Sequence, residues 1–141
     1  MKLLINTLKL FYKWNTRKKW WGFQDSDPLN QSYIQLSSVV FFYYVSLVIL
    51  TSMILNTNVF SYLVKDCMEN SSKILQSVTG LALMFGPTVI IVALVHRKVK
   101  KKNIDLSKLE MGKKDLFGYR LFIISSFILP IILVFMIFKF W

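Results

Sequence analysis

The sequence predicts an all-α membrane protein, with three transmembrane helices preceded by a basic amphipathic interfacial helix. Three observations carry that expectation. Of 141 residues, 55% are hydrophobic and 18% charged, whereas soluble domains average about 45–50% and about 25%. Three long stretches contain no Asp, Glu, Lys or Arg. The 18 Lys and Arg outnumber the 7 Asp and Glu, a formal net charge of +11, and gather in alternate connections between those stretches. A chain this apolar and this basic points to a membrane with positively charged loops rather than to nucleic acid.

Residues 1–32 form the basic amphipathic arm and its turn. Lys2, Asn6, Lys9, Lys13 and Thr16 recur at spacings of three and four, which places them on one helix face. Leu4, Ile5, Leu8, Phe11 and Tyr12 fall on the other. Such a helix suits the headgroup layer, with its cations beside anionic lipid. No acid precedes Asp25, a trait shared with mitochondrial transit peptides, although serine and arginine are scarce. Gln24-Asp25-Ser26-Asp27-Pro28 reads as a helix-breaking elbow. Asp-Ser-Asp-Pro ahead of a Phe-rich span resembles the ESSS-type accessory subunit of respiratory complex I. That family has one span where this chain has three, so the resemblance assigns no family.

The spans follow in order. Residues 33–55 supply 23 mostly apolar residues, roughly 34 Å of helix against a hydrocarbon core of about 30 Å. Residues 74–95 supply 22, and residues 121–138 supply 18, which is short but adequate. Between them lie a short outer loop, 56–73, and a basic inner loop, 96–120, and residues 139–141 form an outer tail. The arm carries six basic against two acidic residues, the inner loop nine against three, and the outer loop balances. The positive-inside rule therefore puts the N-terminus and the 96–120 loop in the matrix or cytoplasm. Trp14, Trp20, Trp21 and Phe23 would form the inner aromatic belt, and Phe60, Tyr62, Phe140 and Trp141 the outer one.

Little in the chain suggests catalysis. The spans hold no ionisable Asp, Glu, Lys or Arg of the kind pumps and proton-coupled carriers place at membrane depth. A single histidine, His96, and a single cysteine, Cys67, cannot build a His/Cys metal cluster or an internal disulfide. His96 reads as an interfacial anchor and Cys67 as a free thiol in the outer loop. Neither a Gly-x-Ser-x-Gly nor a His-Glu-x-x-His motif is present. The Asn70-Ser71-Ser72 sequon abuts the second span and is expected bare. No catalytic, cofactor or metal residue is assigned, and no cofactor is expected beyond a structural, cardiolipin-like phospholipid.

Two groups of residues are candidate sites. In the second span Gln76, Thr79, Gly80, Gly86 and Pro87, with Ala82 beside them, form a stripe of small and hydrogen-bonding residues. This suits close helix–helix packing, with Gln35, Ser37, Ser38, Ser46, Thr51 and Ser52 of the first span as partners. Pro87 frees the carbonyl one turn earlier and should bend the helix. The second group is cationic: Lys9, Lys13, Lys18 and Lys19 on the arm, and Arg97, Lys98, Lys100, Lys101 and Lys102 in the inner loop. Each basic residue near an anionic surface contributes about 1 kcal/mol. Residues 97–114 hold no aromatic to stack on a base, so no nucleic acid partner is expected. Ser107-x-x-Glu110 has capping-box spacing.

These features suit a non-catalytic accessory subunit of a multi-subunit membrane complex, with other membrane subunits and anionic lipid as partners. The expected setting is the mitochondrial inner membrane, in a respiratory-chain or ATP-synthase complex, with the N-terminus in the matrix. The alternative is a small bacterial plasma-membrane protein with an immunity, regulatory or transporter-partner role. A homo-oligomeric channel is a third class, for which only the second span offers a polar face.

Overall fold

The computed structural model describes residues 1–17, 27–55, 73–108 and 112–140. Among them the chain is all helical: α1 (Lys2–Arg17), α2 (Pro28–Leu55), α3 (Lys73–Lys101) and α4 (Lys113–Phe140). Three stretches are long and apolar enough to cross a membrane, Pro28–Leu55, Gln76–Lys101 and Asp115–Ile137. The chain is thus an integral membrane protein by length and composition of its helices.

Each span helix outruns its uncharged stretch. Expected at residue 33, α2 starts at Pro28, because Asp27 and Pro28 open a helix here. Asp27 Oδ1 accepts the Leu29 N–H at 3.0 Å and its carbonyl accepts Gln31 N–H at 3.1 Å. Pro28 then occupies the first helical position, where a missing N–H costs nothing. The elbow residue is a helix starter, not only a breaker. Similarly α3 continues past residue 95 to Lys101, and α4 begins at Lys113 rather than 121. Arg97, Lys98, Lys100 and Lys101 therefore lie on helix, not in a loop. The last three favour that C-terminus electrostatically.

α3 ends in a Schellman motif. Asn103 takes a left-handed φ of 45°, and Ile104 N–H reaches back to the Val99 carbonyl at 3.1 Å while Asn103 N–H reaches Lys100 at 3.3 Å. Val99 and Ile104 both pack on the core cluster. Beyond it, Asp105 Oδ1 accepts the Ser107 N–H at 2.9 Å and the Ser107 hydroxyl at 2.6 Å. Ser107 thus completes an Asx turn; Glu110, at capping-box spacing from it, lies outside the described residues.

The spans lie in an open row with α2 in the middle. Both α3 and α4 pack on α2, yet among the described residues no Cα of α3 comes within 8 Å of α4. Four consecutive aromatics on α2 serve both neighbours, because successive residues step about 100° around a helix. Phe41 stacks on Phe85 of α3 at 5.1 Å, and Tyr44 Oη donates to the Leu83 carbonyl at 2.9 Å. Phe42 meets Phe127 of α4 at 4.9 Å, and Tyr43 stacks on Phe122 at 4.8 Å. Tyr43 also donates to the Phe122 carbonyl at 2.7 Å and bonds the Ser125 hydroxyl.

α1 closes one end of this row. Ile5, Leu8 and Phe11 join Leu36 and Val39 of α2, Val95 of α3 and Leu106 in a buried cluster. Leu8, Leu36, Val39 and Val95 are fully enclosed. The apolar face expected to meet lipid is seated on protein. Part of the polar face is also engaged. Asn6 Nδ2 donates to Tyr119 Oη at 2.7 Å, and Lys9 Nζ to the Lys108 carbonyl at 3.1 Å. Asn15 Nδ2 donates to Ser32 Oγ at 3.0 Å and Gln35 Oε1 at 3.1 Å.

Candidate functional site

The small-residue stripe of α3 is half-buried along most of its length. Phe85 stacks on α2, Val95 and Val99 join the core, and Thr88 and Val92 line the recess between α2 and α3, all at spacings of three and four. By helical spacing Gln76, Gly80, Leu83 and Pro87 fall off that row, yet Tyr44 of α2 reaches the Leu83 carbonyl among them. A Cβ added at Gly86 would meet no atom within 4 Å. Ala82 is exposed, while Gln76, Thr79, Gly80, Gly86 and Pro87 are half-buried. Four of the α2 residues expected to partner this stripe bond within their own helix. Ser37, Ser38, Ser46 and Thr51 each donate to a carbonyl four residues back in their own helix, at 2.8 to 3.1 Å. Gln35 turns to Asn15 of α1. Leu83, whose carbonyl Pro87 deprives of its helical donor, is served by Tyr44 instead.

The cations collect at the opposite end of α3 from its start. Arg97, Lys100, Lys101 and Lys102 are exposed and Lys98 half-buried. On α1, Lys9 and Lys13 are half-buried, and the Lys9 bond to Lys108 ties that helix to the segment that follows α3. Lys18 and Lys19 lie outside the described residues. Lys108 sits 3.9 Å from Asp105; among the described residues no carboxylate lies within 4 Å of the other inner cations. The two Ser107 hydrogen bonds, hydroxyl first, hold the Asp105 carboxyl below its ordinary range, and the Lys108 charge adds to them.

Two recesses adjoin at Tyr33 and His96. The inner one, about 680 Å³, is walled by Tyr12, Asp27, Lys100 and Asp105 among others. The second, about 500 Å³, runs between α2 and α3 along Ser37, Phe85, Thr88, Val92 and Ala93. Both fall in the roughly 300–1,000 Å³ range of ligand sites. Tyr33 and His96 form their common wall, ring centroids 5.3 Å apart at 64°. Thr88 is only 5% exposed and its Oγ1 has no hydrogen-bond partner. Sequence reading passed over this recess, because Thr88, Ser37 and Tyr33 are unremarkable singly and their grouping depends on how α2 and α3 pair. The aromatic run at 41–44 was also passed over, and it did carry a signal.

Among the described residues no group of three His, Cys, Asp or Glu is placed to hold a metal ion. Comparison with known proteins finds no family, no curated protein and no solved structure that matches the chain.

Proposed function

We propose that this chain is a non-catalytic accessory subunit of a larger membrane complex, contributing a helical docking face and a basic lipid-binding end. One observation carries the reading: the three spans form an open row in which, among the described residues, no Cα of α3 comes within 8 Å of α4. A self-contained three-helix bundle would close that gap. Around the exposed Ala82 and the open space at Gly86, α3 suits a transmembrane helix of a neighbouring subunit, which small side chains allow to approach closely. The unneutralised cations at the end of α3, with Lys9 and Lys13 of α1, suit anionic lipid in one leaflet, cardiolipin-like in a mitochondrial setting. The mitochondrial inner membrane is favoured by the acid-free basic arm, with a respiratory-chain or ATP-synthase complex as the host.

Affinity purification from gently solubilised membranes tests this. The chain should emerge in fixed ratio with other integral subunits. Gly80→Leu and Gly86→Leu should lower that recovery more than Leu83→Ala does. Recovery of the chain alone, or only with copies of itself, would remove the accessory-subunit reading.

A further inference from the structure

The recess bounded by Tyr33 and His96 has a charged end and an apolar end. We propose that it holds one phospholipid with an ethanolamine headgroup. The phosphate sits at Lys100 and His96, the ammonium faces Asp27 and Asp105, and an acyl chain fills the slot between α2 and α3. This proposal does not rest on the accessory-subunit reading.

Charge selects the headgroup. The inner recess carries Lys100 but also two carboxylates, Asp27 and Asp105. A purely anionic headgroup would gain from the lysine and be repelled by both acids. A phosphate with an ammonium beside it matches both signs, and a primary ammonium donates hydrogen bonds that the quaternary amine of choline lacks. Both acids keep acceptor capacity: Asp27 Oδ1 accepts one backbone N–H, and Asp105, which takes both Ser107 bonds at Oδ1, meets Lys108 at Oδ2 only at 3.9 Å across an exposed surface.

Thr88 gives the second, independent observation. Hydroxyls in these spans bond their own helix one turn back, as Ser37, Ser38, Ser46 and Thr51 do. Thr88 does not, and a buried hydroxyl left unpaired is destabilising. It lines the slot with apolar Phe85, Val89 and Val92, which offer no acceptor, and with Ser37, whose hydroxyl is bonded to its own helix and not to Thr88. A lipid ester carbonyl drawn into the slot is such an acceptor. From Thr88 to Lys100 the helix rises about 18 Å, so the lysine side chain, the glycerophosphate backbone and the hydrogen bonds at each end must lie nearly end to end. Side chains on a helix lean toward its N-terminus, which for Lys100 is the direction of Thr88.

Native mass spectrometry of the full chain, delipidated and then released from nanodiscs of equal ethanolamine, choline and glycerol phospholipid, is the test. The ethanolamine lipid should be retained over the other two by on the order of tenfold, the equivalent of one hydrogen bond to a charged group. Asp27→Asn and Lys100→Gln should each erase that preference. Asn caps a helix as well as Asp, so α2 stays formed, which circular dichroism verifies. Thr88→Val should weaken retention without lowering the melting temperature. Equal retention of the three lipids would overturn the proposal. So would a preference for the glycerol lipid that Asp27→Asn leaves intact, or an ethanolamine preference that survives both charge variants.

Discussion

Pro87 has no N–H, so the Leu83 carbonyl loses its helical donor in a solvent that supplies none. The Tyr44 hydroxyl replaces it from α2 at 2.9 Å. Tyr44→Phe should therefore destabilise the α2–α3 pair by about 1 kcal/mol, read by steric trapping in bicelles. Tyr43→Phe is the control. Its acceptor, the Phe122 carbonyl, also receives the Ser125 hydroxyl at 3.0 Å, so no carbonyl is stranded and the loss should be smaller. Equal losses would discard the proline argument. At the aqueous end, Asp105 titrates below its ordinary value because the Ser107 hydroxyl and N–H favour the charged form. A depressed native pKa contributes stability above the unfolded value, and that contribution is lost as pH falls through the native one. The Ser107 amide NMR shift should follow this titration, and Ser107→Ala should move its midpoint upward. A midpoint unchanged by that substitution would leave the turn without its electrostatic role.

For helices, hydropathy reports contact with lipid, and helix ends obey other rules. The three spans were legible because residues 33–55, 74–95 and 121–138 carry no acidic or basic charge. Their true ends were not, because Asp27-Pro28 caps a helix and Lys98 to Lys101 extend one. Neither device depends on apolarity. The periodicity of α1 was legible too, but not its cover, since Leu36, Val39, Val95 and Leu106 come from three separate stretches of chain. The run Phe41-Phe42-Tyr43-Tyr44 did hold a readable clue: four adjacent aromatics must spread around a helix, so neighbours are needed on more than one side. The small-residue stripe was visible as composition, while its direction depended on which face α2 claimed. Leu8 decides how firmly α1 is seated. It is fully buried, so Leu8→Ala should cost about 2–5 kcal/mol and speed amide exchange across α1 while leaving the spans protected. Unchanged exchange would show that α1 is held by its polar contacts alone.

For the whole molecule, the charge asymmetry between connections sets a testable orientation. A cysteine placed at Lys102 should react with an impermeant maleimide only from the inner side, and one at Thr57 only from the outer side. Reaction of both from the same side would remove one of the three crossings. The central place of α2 also bears on how the chain is made. Synthesis delivers the N-terminal part first, so α2 is in the bilayer before α3 emerges, and α3 before α4. Among the described residues the helices that α3 packs against are α1 and α2, and the same is true of α4. Each later span therefore finds its seat already built when it leaves the translocation machinery. A nascent chain stopped after α3 already holds every helix that α3 packs against.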